Sequence, residues 1–478
     1  MIEEKFKLLR IKKIELENYN NSIFERRYRL NFKHVEIFFE DIFSIDSQTL
    51  QDAYLNDIHL DNSIDASTKE RLLFKFLSNN LFFSCAVTFF LCLVNRLTFI
   101  KNSMLPSKYQ KVAFVERNDT RLYPRLKSLF KDGDLESHSL DIKSVKKVFS
   151  RGVRFNFSFK NLRLLIAEIN KSASIISKIA PNQRYLFLKI FALCVFYRRF
   201  YNSIQGVDFL IDSCDNCYSP VQDSLASLVK IKLILIQNGG RMSLVSYGYV
   251  RCYMFISWAD MYKNLIVGKI KSKVYLSILS QSVSRSDSKS IEAEFKDLYT
   301  NFDFLIVEQL TFPEKGVASD YSNHKYMLDR MINFINKNAG YKVGYLCRRP
   351  RDTKDIELKS VLLNNDALLE KNGIEIIENK FCEQAIKKSK VVVAIDSSTM
   401  LEAFFVGNMG FIVTNKLSNY MWLASLLTDD FISSRESQEV FNEKIVSLLA
   451  RNVSSIREFF KHHNDISEVL DCIKSAEV

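Results

Sequence analysis

The sequence predicts an α/β protein with two parallel-sheet domains and an N-terminal helical addition, and three observations carry that prediction. Short apolar runs alternate with amphipathic stretches in units of about 30 residues, the spacing of parallel strands joined by right-handed helical crossovers. The units fall into two blocks, roughly 105–268 and 300–430, with a polar, serine-rich stretch between them. A length of 478 residues exceeds one ordinary core and fits two.

Taken in order, residues 1–104 read as a helical or mixed N-terminal region. Inside it, Phe76 to Asn95 carries no charge, but its continuous apolar part, Leu81–Val94, is shorter than the roughly 20 residues a membrane span needs. A buried core helix is the first reading of that segment and an interfacial one the second. Residues 105–268 are expected to form the first sheet domain: KVAFVE (111–116), VDFLID (207–212) and IKLILIQ (231–237) are its strands, and a basic helical insertion fills 140–202. Residues 269–299 read as a linker, because KIKSKVYLSILSQSVSRSDSKS is polar and ends in serines. Residues 300–430 repeat the alternation with FDFLIVEQ (302–309), HKYMLDRMINFINKN (324–338), YKVGYLC (341–347), KVVVAID (390–396) and STMLEAFFVG (398–407), and 431–478 are expected to be helical.

Composition removes several classes. Hydrophobic residues at 47% and charged residues at 26% exclude disorder throughout, and 13 glycines with 6 prolines exclude collagen-like and low-complexity chains. Nine scattered cysteines and no basic, then apolar, leader suggest a cytoplasmic protein. The net charge of +12 is concentrated: between Lys143 and Arg199 there are thirteen basic residues and one acid, Glu168, an excess equal to that of the whole chain. Aromatics interleave those bases, a pattern suited to an anionic membrane surface or to a solvated face over a buried one. No nucleic-acid-binding module is recognisable, so nucleic acid is not an expected partner.

Doubly wound sheets bind ligands at the carboxyl ends of their strands, so the residues just after each strand are read for chemistry. After KVVVA, Asp396 is followed by Ser397, Ser398 and Thr399 at a helix start, where hydroxyls and free amides converge on an anion or simply cap the helix. Glu402 lies one turn further on, placed to close a capping box or to meet ribose hydroxyls. After LILI, Gln237, Asn238 and Gly239 form a tight turn that offers amides to a cleft. Asp212 and Asp215 follow the DFLI strand and are candidates for deprotonating an acceptor hydroxyl, or for capping the next helix. Arg348, Arg349 and Arg351, arranged around Pro350, present forked cations suited to phosphate or carboxylate, or form a solvated basic loop.

Neither a GxxxxGK[ST] nor a GxGxxG run is present, and the six histidines form no metal-spaced cluster. Cys214 and Cys217 lack partners for zinc, and Asp132-Gly133-Asp134 follows a basic helical stretch instead of a buried strand. Neither metal nor cofactor is therefore expected.

Residues 205–430 resemble GT-B-fold glycosyltransferases of bacterial surface polysaccharide (capsule, O-antigen or lipooligosaccharide) assembly. IQNGG stands where many such enzymes have a Gln-His-Gly-like turn, and YVRCYMFISWADMYKNLIVGKIKSK (249–273) resembles the segment leading to the domain crossover. AIDSSTMLEAFFVGN is similar to their donor motif, with a serine pair like that of CMP-sugar (Kdo or sialic acid) transferases. Asn238 replaces the histidine, and RRPRD replaces a common His-Pro pattern. The resemblance implies two Rossmann-like domains facing a cleft, a nucleotide-sugar donor such as CMP-Kdo, a glycan or lipid-linked acceptor, and a peripheral position at the inner membrane. A polyol-phosphate transferase of the same fold group and a non-catalytic membrane-docked assembly factor are the rival readings.

Overall fold

The computed structural model of the chain describes residues 2–63, 76–100, 111–116, 123–133, 135–141, 153–155, 158–204, 206–214, 219–237, 249–257, 260, 270–278, 288–309, 319–348, 351–352, 356–395, 398–415, 427, 429–451 and 464–476. The strands of the first half are β1 (Thr98–Ile100), β2 (Lys111–Glu116), β3 (Glu136–Asp141), β4 (Val153–Phe155), β5 (Phe209–Cys214), β6 (Lys232–Gln237), β7 (Val250–Ser257) and β8 (Ile270–Ser277). β1 and β4 pair in a small antiparallel ladder, and the other six form one parallel sheet in the order β3-β2-β5-β6-β7-β8.

Period-two alternation divides the apolar side chains of this sheet between two cores. Ala113, Val115, Leu210, Leu233 and Leu235 face a helical layer made from Ile2–Arg27, Arg29–Phe43, Ser47–Ser63, Leu81–Leu97, Phe159–Lys178 and Pro181–Ser203. Val112, Phe114, Phe209, Ile211, Ile234 and Ile236 face the helix Tyr123–Asp132 and, from far along the chain, the helix Ser467–Ser475 through Val469 and Ile473. Asn464 secures that return: its amide donates to the Ser277 carbonyl at 3.1 Å, and its side-chain oxygen accepts from the Ser277 amide at 2.8 Å. Residues 431–478 are thus divided between the two domains, with Phe441 and Ile445 in the second core and Val469 and Ile473 in the first.

The segment expected as a linker supplies an edge strand instead. β8 runs parallel to β7, and its lysines, Lys271 and Lys273, suit a strand with one solvated side. Of the 249–273 segment, Val250–Ser257 is β7 and residues 270–273 begin β8, within the first sheet. Asp52 of the helical layer clamps both strands, accepting from Arg251 Nε at 2.9 Å and Lys271 Nζ at 3.0 Å.

The basic block also differs from expectation, because several of its cations point inward. Arg184 and Arg199 are buried; Arg184 donates to the carbonyls of Ile176 and Asn79, Arg199 to that of Val94, and Arg198 to that of Ile42. Lys189 pairs with Asp57 at 2.6 Å. These four groups tie elements of the helical layer to one another.

The second sheet contains β9 (Phe302–Val307), β10 (Val343–Leu346), β11 (Glu375–Ile377), β12 (Ser389–Ala394), β13 (Met409–Val413) and β14 (Ile432–Ser433), all parallel, in the order β11-β10-β9-β12-β13-β14. Its central strands are buried on both faces, which is why they read as unbroken apolar runs. The order in which strands are added changes side between β9 and β12 here, and between β2 and β5 in the first sheet, while all strands stay parallel. These are the topological switch points at which doubly wound sheets place their ligands.

Candidate functional site

Both flanks of the second switch point carry polar groups. β9 is followed by Glu308-Gln309, β10 by Cys347-Arg348, and β12 leads to the helix Ser398–Val406. That helix lies close against its sheet because β13 carries Gly410, where a Cβ would come within 2.7 Å of Met400 Cε and 2.8 Å of Phe404 Cζ. Gly407, at φ +94°, ends the helix in the left-handed conformation that glycine adopts without strain.

Two of the sequence-predicted loops meet here. Arg348 Nη1 donates to Thr399 Oγ1 at 2.9 Å, which sets a guanidinium beside the first turn of the Ser398–Val406 helix. Gln309 joins the strand ends across the switch point by accepting from the Ile395 amide at 2.5 Å. The positive end of the helix dipole and the Arg348 cation thus lie side by side after the second switch point.

Arg351 is arranged differently from the phosphate-facing fork expected of it. Its Nε and Nη2 make a bidentate pair with Asp366 at 2.8 and 2.7 Å, and Nη1 donates to Glu308 Oε2 at 2.6 Å. Two carboxylates therefore take up its charge, and the loop after β10 is fixed to β9 and to the helix Ile356–Lys371. Despite the opposing effect of burial, the bond to Asp366 and the neighbouring Cys347 and Glu308 hold its pKa above the ordinary arginine value.

Glu308 is the centre of a buried chain. Its Oε1 accepts from the Arg348 amide at 3.2 Å and its Oε2 from Tyr345 Oη at 3.3 Å. His324 Nε2 lies 3.0 Å from Tyr345 Oη, and His324 Nδ1 accepts from the Gln309 amide at 3.5 Å. Nδ1 being an acceptor, the proton sits on Nε2, which donates to the tyrosine oxygen, and that hydroxyl donates to Glu308. Burial, with Arg351 adding to it, lowers His324 to about 3, so the ring is neutral. Burial and then Glu308 raise Tyr345 well above its usual value, and burial raises Cys347 to about 12. The network fixes the Arg348 backbone without placing a reactive thiol or imidazolium beside it.

The other expected residues are distributed as follows. Thr399 is fully buried at the helix start and Glu402 is 3% exposed, which puts that carboxylate in the interior. Ser398 opens the helix. Asp212 lies within β5, opposite Leu235 and two residues before the strand ends, on the side of Leu210; it does not close the strand as the apolar run suggested. Gln237 ends β6 and is buried. Asp215, Asn238, Gly239, Arg349, Ser397 and Cys217 lie outside the described residues. Among the described residues no group of three histidines, cysteines or acids is placed to hold a metal ion.

Sequence reasoning missed Glu308, Gln309, His324, Tyr345 and Asp366. The post-strand rule does point to Glu308 and Gln309, but their partners come from a neighbouring strand, the residues after it and a separate helix, whose convergence no local pattern gives.

Fold and site together define a two-domain, doubly wound α/β protein with a cation-bearing helix N-terminus at the switch point of its second sheet. No protein-family model and no curated protein matches the sequence. Among solved structures the chain is similar to UDP-GlcNAc 2-epimerase from Methanocaldococcus jannaschii in complex with UDP-GlcNAc and UDP (11% identity, 77% of this chain and 100% of that one, TM-score 0.41). It is similar also to UDP-GlcNAc 2-epimerase from Neisseria meningitidis bound to UDP-GlcNAc (11%, 76% and 98%, TM-score 0.40). A third is E. coli ADP-heptose LPS heptosyltransferase II (12%, 71% and 98%, TM-score 0.34).

Proposed function

We propose that the protein transfers a glycosyl group from a nucleotide-sugar donor to a growing bacterial surface glycan or lipid-linked acceptor. The observation that carries this reading is the Arg348–Thr399 hydrogen bond at the start of the Ser398–Val406 helix, beside the switch point. In the proposed step an acceptor hydroxyl attacks the anomeric carbon, the bond from that carbon to the donor phosphate oxygen breaks, and the nucleotide leaves with the electron pair. Charge grows on the phosphate as the bond breaks, and oriented amides with an adjacent guanidinium stabilise it most at that moment. The acceptor proton passes to a carboxylate of the first domain, Asp212 or Asp215. Arg351 serves as a positioning residue, holding the loop that bears Arg348. The serine pair Ser397-Ser398 favours a CMP-activated sugar such as CMP-Kdo. No metal enters this scheme, because Arg348 and the helix amides meet the phosphate charge.

Calorimetry with CMP, UDP, GDP and ADP, followed by mass spectrometry of products from the corresponding sugar donors, tests the reading. One nucleotide should bind, and Arg348→Met and Thr399→Val should each weaken it by about 5- to 20-fold through loss of charge-assisted hydrogen bonds. No binding by any nucleotide, in a folded protein, would leave the non-catalytic assembly factor as the better account.

A further inference from the structure

The helix Leu81–Leu97 is built inside out. Its buried stripe is Ser84, Thr88 and Cys92, spaced four residues apart and at most 2% exposed. Their polar atoms bond within the protein: Ser84 Oγ donates to the Ser78 carbonyl and Thr88 Oγ1 to the Ser84 carbonyl, each at 2.8 Å, while Cys92 Sγ lies 3.6 Å from Ser172 Oγ. The outward stripe contains Phe82, Phe89 and Phe90, which are 85%, 49% and 62% exposed, with Ala86 between them. A water-facing helix shows the reverse pattern, polar outside and apolar inside. Three phenylalanines within about 12 Å of helix and no charge among them form an exposed patch of the kind that marks an interaction surface.

The neighbouring charge indicates what that surface meets. Phe159–Lys178 packs antiparallel to this helix, as the contacts of Cys92 with Ser172 and of Asn95 and Arg96 with Glu168 show. Its one acid, Glu168, is buried beneath Arg96 and Asn95, whereas Lys160, Arg163 and Lys178 are exposed among exposed Phe159, Leu162 and Ile166. The helix pair thus offers water apolar and positive groups together. Among the described residues no helix is long and apolar enough to cross a membrane.

We infer that the helix Leu81–Leu97 lies in the plane of an anionic lipid surface, with Phe82, Phe89 and Phe90 among the acyl chains and Lys160 and Arg163 against the headgroups. Helices with one apolar and one basic side bind bilayers in this way. The docking surface is separate from the donor site. Its test needs no turnover, so it stands or falls apart from the glycosyl-transfer reading.

Full-length protein is sedimented with vesicles of phosphatidylcholine alone and of phosphatidylcholine mixed equally with phosphatidylglycerol. Wild type should pellet with the mixed vesicles and retain part of that binding in high salt, since apolar insertion is not screened. Phe82→Ser with Phe89→Ser and Phe90→Ser should weaken partitioning by about 100-fold or more, three buried rings being lost from the lipid, while thermal stability is unchanged because the rings face outward. Measured against wild type, whose Trp258 and Trp422 supply the background, Phe89→Trp should add an indole emission that shifts to the blue on adding the mixed vesicles and is quenched by brominated lipid. The inference is overturned if wild type stays in the supernatant, if the triple variant pellets equally well, or if the Phe89→Trp emission does not move. A dimer that the triple substitution splits, without vesicle binding by either protein, would assign the face to a second copy of the chain.

Discussion

Replacing Arg351 by methionine separates a cation that holds a loop from one that holds a ligand. The guanidinium makes three hydrogen bonds to two carboxylates, and the Glu308 side chain has no exposure at all. Removing one partner of a buried ion pair costs about 3 to 5 kcal/mol, because the neutral donors Tyr345 Oη and the Arg348 amide do not offset a full charge. Arg351 is 24% exposed and Asp366 17%, so water reaches that side of the network and the lower end, about 3 kcal/mol, is expected. Glu308→Gln removes the stranded charge while keeping the shape. The double variant should then lose less than the sum of the singles by about 1.5 kcal/mol or more. Urea unfolding followed by circular dichroism measures all three, and nucleotide titration of the folded Arg351→Met protein should show affinity within about threefold of wild type, since Glu308 still holds the Arg348 amide and no ligand contact is lost. A destabilisation under about 1 kcal/mol together with a tenfold or greater loss of nucleotide affinity would refute the positioning role and return Arg351 to the phosphate.

Three further outcomes follow from the same geometry. Burial holds His324 at about 3 against 6.5 for a free ring, so the unfolded chain takes up the proton first; stability present above pH 6.5 should fall by up to about 1.4 kcal/mol per unit as pH drops below it, and His324→Gln should flatten that slope in pH-dependent urea titrations. Whichever of Asp212 and Asp215 takes the acceptor proton should lose turnover by roughly 100-fold as asparagine with nucleotide affinity kept, and wild-type turnover in both variants would move the base elsewhere. Activity should persist in EDTA; loss that Mg²⁺ restores would direct attention to Asp132 and Asp134.

The strands that sequence alone locates are those buried on both faces. Lys232–Gln237 and Ser389–Ala394 are apolar nearly throughout because helices cover both sides of them. β8 escapes that signal, since Lys271 and Lys273 satisfy an edge strand as well as they satisfy a linker. Arg184, Arg198 and Arg199 mislead for the opposite reason: a guanidinium can end its long stem on a backbone carbonyl inside a helical layer, and composition does not distinguish that from solvent. The Leu81–Leu97 helix looks like core by content, yet its small polar residues are the buried ones. In the second domain, Arg348 and Thr399 follow directly from reading the residues after strands. The Glu308 network does not, because Tyr345, His324, Arg351 and Asp366 converge from separate elements.

The helix Ser467–Ser475 completes one core of the first sheet, although it is encoded after the whole of the second domain. During synthesis the first sheet must therefore wait, with Phe209, Ile211 and Ile234 lacking Val469 and Ile473, until the second domain has left the ribosome. Order of emergence and order of completion are reversed, which leaves apolar groups of the first sheet uncovered longest. The return also gives the two domains a second covalent connection, so any movement between them has to bend two strands of backbone at once, and a cut between residues 451 and 464 would release one of them.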